Sequence, residues 1–418
     1  MSALTLQQFV VRLNAIYDCE GTAPTLLGIG PMSEISLQAS CELARDLDFP
    51  VILVASRNQI DADALGGGYV LDWNQRTFIA DLQRIAKKVG FTGLLYPCRD
   101  HGGPWQRDEE RGARLPEAEA MAKAKESFLE DLLAGYSLLH IDPTKDPHVS
   151  GQVAMEVVLR RTVELLEYVE GERVERKLPA ISYEIGTEET AGGLIGDQAF
   201  EKFIVDLLAQ LDAKGLPHPA FIVGQTGTLV KMDRNVGKFD ADTAQRLAAI
   251  ARRHGIGFKE HNGDYLPMDV LEAHPGLGLT ATNVAPEFGL DETVALLQLA
   301  DQEQRSGGPS SGFLPLIQER AIASGRWKKW LLPEDAGLTE EQILQSPEKI
   351  RLVTRVCGHY VFQEPAVVEA RARLYANMQA TGLVPDPERF VIDAVKASIE
   401  KYIRAFNSVG VTTLVSKA

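Results

Sequence analysis

Residues 180–223 read AISYEIGTEETAGGLIGDQAFEKFIVDLLAQLDAKGLPHPAFIV. The stretch opens on one short apolar run, 180–185, and closes on another, 220–223. Between them, from Asp197, come Phe200, Phe203, Ile204, Leu207, Leu208 and Leu211, spaced close to the 3.6-residue period of a helix with one buried face. Lys214-Gly215-Leu216-Pro217 then ends the helix, because glycine accepts the left-handed cap and proline cannot continue the hydrogen-bond ladder. A strand, a helix and the next strand in direct succession make one β/α unit.

Outward from this unit the same alternation continues in both directions. Short apolar runs fall at 25–29, 50–55, 92–96, 137–141, 180–185, 220–223, 256–259 and 277–282. Helical patterns follow them at about 33–48, 75–89, 116–134, 151–171, 197–214, 239–254, 265–274 and 289–303. Eight such units predict a (β/α)8 TIM barrel. A doubly wound nucleotide-binding sheet would need a glycine fingerprint after an early strand. Gly28-Ile29-Gly30-Pro31 starts like one, but Pro31 breaks it and the third glycine is missing. The run Gly66-Gly67-Gly68 lies in a long loop after the second strand and reads as a flexible lid. After about residue 304 the alternation stops, and helical patterns at 313–325, 339–356, 364–380 and 386–405 predict a C-terminal helical extension. The expected domains are therefore 1–305, a barrel with a short N-terminal helix, and 306–418, an extension packed on it or used as an oligomer contact.

Composition narrows the class. The chain has 418 residues, 45% hydrophobic and 24% charged, in the ordinary globular range. Forty-three Lys+Arg against 58 Asp+Glu give a net charge of −15. Such a surface repels nucleic acid and anionic membranes, so neither is an expected partner, although a local pocket can still oppose the global field. Cys19, Cys41, Cys98 and Cys357 are scattered without metal or disulfide spacing. No signal peptide or long apolar span is present in the sequence, and the expected location is the cytoplasm. There is no GxxxxGK[ST] phosphate loop.

In a barrel of this kind the site is built at the C-terminal strand ends. Those ends carry Arg57 and Asn58 after strand 2, Cys98 to His101 after strand 3, and His140 and Asp142 at strand 4. Strand 5 brings Glu184 and Glu188, and strand 6 leads into Gln225 and later Lys231. Strand 7 ends Lys259-Glu260-His261-Asn262-Gly263-Asp264, and strand 8 runs to Asn283. Of eight histidines, three (His101, His140, His261) fall on this rim, each close to a carboxylate. Imidazole and carboxylate converging from several strands is how a divalent-metal site is made. His148, His218, His254 and His274 read as solvated or capping, His359 as packing, and Cys98 as a buried inert thiol. Lys259 would serve covalent chemistry if any lysine did, although a surface or helix-facing place is the default.

Five of these segments, in order, carry a resemblance. Ala55-Ser56-Arg57-Asn58-Gln59 with Gly67-Gly68-Tyr69, Asp100-His101-Gly102-Gly103-Pro104, the segment from Gly135 to Asp142, Ile185-Gly186-Thr187-Glu188, and Glu260 to Tyr265 resemble the strand-end motifs of the tagatose-bisphosphate aldolase non-catalytic subunit family. That family includes ketose and ketose-phosphate 4-epimerases. The resemblance implies a metal-dependent ketose 4-epimerase acting by retro-aldol and aldol steps at C3–C4. It also admits a stabilising subunit of a class II D-tagatose-1,6-bisphosphate aldolase, or a class II-type aldolase. It implies His101, Glu188 and His261 as metal ligands for Zn, Mn or Ni, and Asp100 as acid/base, with Asp142 or Asp264 as the second choice. Arg57, Asn58, Gln225 and Asn283 would meet sugar hydroxyls, and Lys231 an anion. The expected partners are a sugar or sugar phosphate, and a second copy or an aldolase subunit. The chain departs from the family pattern at Gly102, at Pro143-Thr144-Lys145 and at Asn283-Val284-Ala285-Pro286-Glu287, where the acidic Glu287 would repel a phosphate.

Overall fold

The computed structural model describes residues 4–187 and 196–417. Among them, eight parallel strands close into a barrel. The first six are β1 (Leu26–Ile29), β2 (Val51–Ser56), β3 (Leu95–Gly102), β4 (Leu138–Ile141), β5 (Ser182–Ile185) and β6 (Phe221–Val223). A small antiparallel pair, β7 (Val230–Lys231) and β8 (Arg234–Asn235), sits in the loop after β6, and β9 (Gly257–Glu260) and β10 (Ala281–Val284) complete the barrel. Closure is made by β1, where Gly28 lies opposite Asn283 of β10 on one side and Ile52 of β2 on the other. The predicted (β/α)8 TIM barrel with helices after it is the fold observed.

Helix α1 (Leu6–Glu20) precedes the barrel. Around it run α2 (Glu34–Leu47), α3 (Gln75–Lys88), α4 (Asp108–Gly112), α5 (Glu117–Ala134), α6 (Met155–Glu175), α7 (Asp197–Lys214), α8 (Ala241–Arg253), α9 (Met268–Leu277) and α10 (Pro286–Ser306). The tail adds α11 (Phe313–Ala323), α12 (Glu340–Leu344), α13 (Pro347–Cys357), α14 (Pro365–Ala380), α15 (Pro387–Ala405) and α16 (Val411–Lys417). Local chemistry sets these limits. Ser33 and Ser36 form a reciprocal cap at the start of α2, as Asn74 and Thr77 do for α3. Helix α7 buries Phe200, Phe203, Ile204, Leu207 and Leu211 and ends on Gly215 at φ +66°.

The tail is joined to the barrel from both directions. Helix α15 packs on α2 and α10. Its Ile392, Val395, Ile399, Tyr402 and Ile403 lie in the same apolar core as the barrel strands. Thr25, just before β1, donates its N–H to the Phe406 carbonyl (3.0 Å), and its own carbonyl accepts from Ser408 Oγ (2.6 Å). Truncating one such buried residue to alanine costs about 2–5 kcal/mol. The expected boundary after 305 falls within the last turn of α10.

The triglycine loop is not a lid. Tyr69 and Val70 donate their N–H groups to the carbonyls of Asn58 and Gln59, and Arg107 binds the Gly67 carbonyl. A Cβ on Gly68 would lie 2.0 Å from the Gln59 carbonyl oxygen, so glycine is required by a close backbone approach. No helix among the described residues is long and apolar enough to cross a membrane.

Candidate functional site

Side chains alternate across a strand, so residues of one parity point into the barrel. In β4 and β5 those are His140 and Glu184, which sit opposite each other in register. From β9, Lys259 and, one step past the strand, His261 point inward, and Glu260 between them points out to His274. Strand β3 breaks the alternation. Its pairing with β4 shifts between Arg99 and Gly102, and His101 takes a left-handed φ of +43°. Asp100 and His101, though consecutive, therefore both reach the mouth. A non-glycine residue held there costs on the order of 1–3 kcal/mol, the kind of strain found at functional sites.

The result is a compact cluster. His101, His140 and His261 present ring nitrogens within 4.8 Å of one another, and so do Asp100, His140, Glu184 and His261 with one donor atom each. Glu184 Oε1 is 2.9 Å from His261 Nε2 and 3.5 Å from His140 Nδ1. Asp100 Oδ1 is 3.7 Å from His140 Nδ1 and accepts from Asn283 Nδ2 at 3.1 Å. Asp142 Oδ2 lies 2.5 Å from His101 Nδ1. Gly186 keeps the wall open, since a Cβ there would meet Asp142 Oδ1 at 2.9 Å and His140 Nε2 at 3.0 Å.

Electrostatics follow from this packing. Burial works against the charge of Glu184, but Lys259, His140 and His261 outweigh it and hold the carboxyl down at about 2. Burial likewise opposes ionisation of Asp100 and Asp142, yet the neighbouring imidazoles keep both below the usual carboxylate range. Burial pushes His261 down. His140 is also disfavoured by burial but is lifted above its ordinary value by Glu184, Asp100 and Asp142.

The donor set fits a divalent cation. In its neutral form His101 carries its proton on Nδ1, facing Asp142, and its Nε2 can accept from His261 Nδ1 at 3.1 Å. His261 Nε2 then offers a lone pair toward Glu184. His140 Nδ1 takes only a backbone N–H from His101 (3.1 Å), and its Nε2 is buried with no hydrogen-bond partner among the described residues. The free His261 lone pair and two ionised carboxylates face one another beside His140; Lys259, 2.5 Å from Glu184 Oε2, supplies one positive charge, and a divalent cation between them would supply the rest.

The expected site residues are placed as follows. His101, His261, Asp100, Asp142 and Asn283 come together at the cluster. Glu188 lies outside the described residues. Asp264 is beyond the cluster, where its Oδ1 accepts the N–H groups of Ala285 and Glu287 at the start of α10 (3.0 and 2.9 Å). Burial beside Glu287 pushes its carboxyl up to about 7. Arg57, expected at sugar hydroxyls, is fully buried and paired with Asp61 (3.0 Å) and Glu110 (2.7 Å). Asn58 is likewise committed, holding the Gln106 carbonyl and the Asp108 N–H. Gln225 Oε1 accepts from Gly227 N–H, and Lys231 Nζ donates to the Lys329 carbonyl.

His140 and Glu184 were not assigned as ligands from the sequence, and Lys259 was expected on a surface or facing a helix. Lys259 is buried instead, 2.5 Å from Glu184 Oε2. The signal available was parity: a lone polar residue at an inward position of an otherwise apolar strand. His274 is also corrected. It neither caps nor meets solvent but is buried between Phe239 and Phe406, 2.7 Å from Glu260. Cys98 is buried, as read, with its thiol pushed up by burial.

Fold and mouth together define a (β/α)8-barrel protein with a histidine–carboxylate site at the C-terminal strand ends. Residues 19–205 match the family described as D-tagatose-1,6-bisphosphate aldolase subunit GatZ/KbaZ-like, the family whose strand-end motifs this sequence resembles. It is 24% identical over 404 residues to the D-tagatose-1,6-bisphosphate aldolase subunit GatZ of Salmonella typhimurium, covering 85% of this chain and 89% of that one. The same identity holds over 358 residues for the Klebsiella oxytoca protein of that name, with 80% of each chain covered. A probable tagatose 6 phosphate kinase from Sinorhizobium meliloti 1021 shares the fold at TM-score 0.72 and 20% identity, over 91% of this chain and all of that one. Fructuronate-tagaturonate epimerase UxaE from Cohnella laeviribosi does so at TM-score 0.55 and 12% identity, over 92% and 82%. At these identities the two structures speak for the fold alone.

Proposed function

We propose that this chain acts in carbohydrate metabolism, as its GatZ/KbaZ-like character supports, and that its barrel mouth is a catalytic site for a ketose of the tagatose/fructose type, making it a metal-dependent 4-epimerase. The observation that carries this reading is the set of buried His140, Glu184 and His261 with the half-buried Asp100, and His101 and Asp142 beside it. A purely structural barrel would not bury so many ionisable groups facing one another, because each costs desolvation energy.

C4 of a ketose is not adjacent to the carbonyl at C2, so enolisation alone cannot invert it. Opening C3–C4 and closing it on the other face of the aldehyde can. A divalent cation held by Asp100, His140, Glu184 and His261 would supply Lewis acidity toward the ketose oxygens. Asp142 orients His101, and His101 Nε2, once it exchanges the His261 Nδ1–H for the substrate hydroxyl, takes the C4 hydroxyl proton as the bond opens and returns it on closure. Asn283 Nδ2 fixes Asp100. Asp100, expected as the base from sequence, is thus assigned to holding the cation.

The names of the relatives favour a second reading better than the first: a stabilising subunit of a class II D-tagatose-1,6-bisphosphate aldolase. One experiment separates them. The purified protein is incubated with D-tagatose or D-fructose, free and 6-phosphorylated, in the presence of Mn²⁺, Zn²⁺ or Ni²⁺, and C4 epimers are followed by NMR. Epimer formation supports the enzyme. Triose release instead would make it an aldolase. No turnover with any metal, together with co-purification of an aldolase chain, would leave the subunit reading.

A further inference from the structure

We propose that Arg111, Lys145, Arg326 and Lys329 form an anion subsite on the β3–β4 side of the mouth, which takes the terminal phosphate or carboxylate of a sugar whose reacting carbons lie on the histidine cluster. The substrate half of this statement rests on the function proposed above; the anion site itself does not.

Four cations from three separate segments gather there around one shared carboxylate. Asp108 pairs with Arg111, with Arg326 Nη1 at 3.1 Å and with Lys329 Nζ at 3.2 Å. Lys145 makes no ion pair or hydrogen bond among the described residues. Its pKa is lowered, first by burial and then by Arg111, with Lys329 adding to the effect, against Asp142 and Asp108. A positive excess is thus concentrated at one place on a chain of net charge −15. Mutual repulsion of this kind costs stability unless an anion relieves it. Two of the cations are fixed in place. The Arg326 guanidinium lies over Tyr69 and Tyr360, 5.5 and 5.6 Å from the ring centres. The turn bearing Lys329 is tied down by Lys231 through the Lys329 carbonyl.

The position suits a substrate. Lys145 is three residues past Asp142, whose carboxylate bonds His101. The place where barrels commonly receive a phosphate, the helix start after the last strand, is already filled here. Asp264 occupies the N–H groups of Ala285 and Glu287. Glu287 adds a second buried carboxylate, held by Lys401 and by the Tyr402 hydroxyl at 2.5 Å. A further anion would be repelled there, so an anionic substrate end is directed to the opposite side of the mouth. Two of the four cations, Arg326 and Lys329, come from beyond the barrel helices, which gives the tail a place in recognition.

Calorimetric titration of the full chain tests this with inorganic phosphate, D-fructose 6-phosphate, a hexuronate and neutral D-fructose. The variants are Arg326→Gln/Lys329→Gln and Lys145→Met, with Arg326→Lys as a charge-keeping control. We expect the anions to bind at least tenfold tighter than D-fructose, the charge-removing variants to lose that margin, and the control to retain most of it at unchanged metal content. The better-bound of the phosphate and hexuronate arms identifies the anion. Equal binding of charged and neutral sugars, or undiminished phosphate binding by the double variant, would overturn the proposal. Because inorganic phosphate binding needs no turnover, a protein inactive on every ketose can still pass, and an active epimerase can fail.

Discussion

His101 Nε2 and His261 Nδ1 stand 3.1 Å apart, with the two rings edge to face and their centres separated by 4.8 Å. One ring is held by Asp142 and the other by Glu184, and under the proposed function the first side would handle the proton and the second the cation.

That division predicts different losses. His261→Ala and Glu184→Gln should each lower bound divalent metal at least tenfold, read by elemental analysis after dialysis. His101→Ala should keep most of the metal and lose about 10²–10⁴-fold in epimerisation rate. Equal metal loss in all three variants would refute the separation.

Arg57→Met should act on stability. It leaves Glu110 buried without its cation and Asp61 with only the more distant Arg107 (3.5 Å), at a cost of about 3–5 kcal/mol. The melting temperature should fall while the metal content of the protein that remains folded is unchanged. A rise in KM with an unchanged melting temperature would restore Arg57 to the substrate.

Asp264 sets a pH dependence. Its carboxyl stands near 7 in the folded chain, above the ordinary 3.8, so the folded form holds a proton that the unfolded form has lost. Its contribution to stability is therefore complete below about pH 4, declines as the pH rises to 7 and stays lost above that. Asp264→Asn keeps the Oδ1 acceptor and removes the charge. Calorimetry should find the variant more stable than wild type at pH 8, with the difference shrinking as the pH is lowered towards 4.

Thiol titration should distinguish the cysteines. Cys19 is exposed, and Cys41, Cys98 and Cys357 are buried. Burial pushes the Cys41 and Cys357 thiols up to about 12. In native buffer one thiol should react quickly, and the other three only after denaturant is added.

Much of the fold was legible because each unit repeats the same apolar grammar. All eight strands exist where an apolar run announces one, six of them within about two residues, and the helix at 197–214 matches its expected span. Strand β3 was placed too early, at 92–96, because its true span carries Arg99, Asp100 and His101. Arg99 spends its charge on Asp131 behind the strand, a partner no local pattern reveals. The single helix expected at 339–356 is divided at Ser346, which caps α13 with Pro347 in its first turn. At the site, His101 and His261 were legible from their strand ends. Glu184 stands at an inward position of its strand, a place strand parity alone marks, whereas the expected ligand Glu188 lies outside the described residues. The ion pairs of Arg57 were not legible, because Glu110 becomes its neighbour only on folding.

The bonds between Thr25 and the segment 406–408 set a timetable for synthesis. Strand β1 leaves the ribosome early, yet part of its anchorage is made by residues that emerge some 380 positions later. Until then the face of α2 that α15 will cover stays wet, and the half-made cylinder is open to aggregation or to chaperones. A nonsense mutation anywhere before α15 would therefore be expected to yield material destined for proteolysis instead of a shortened working barrel.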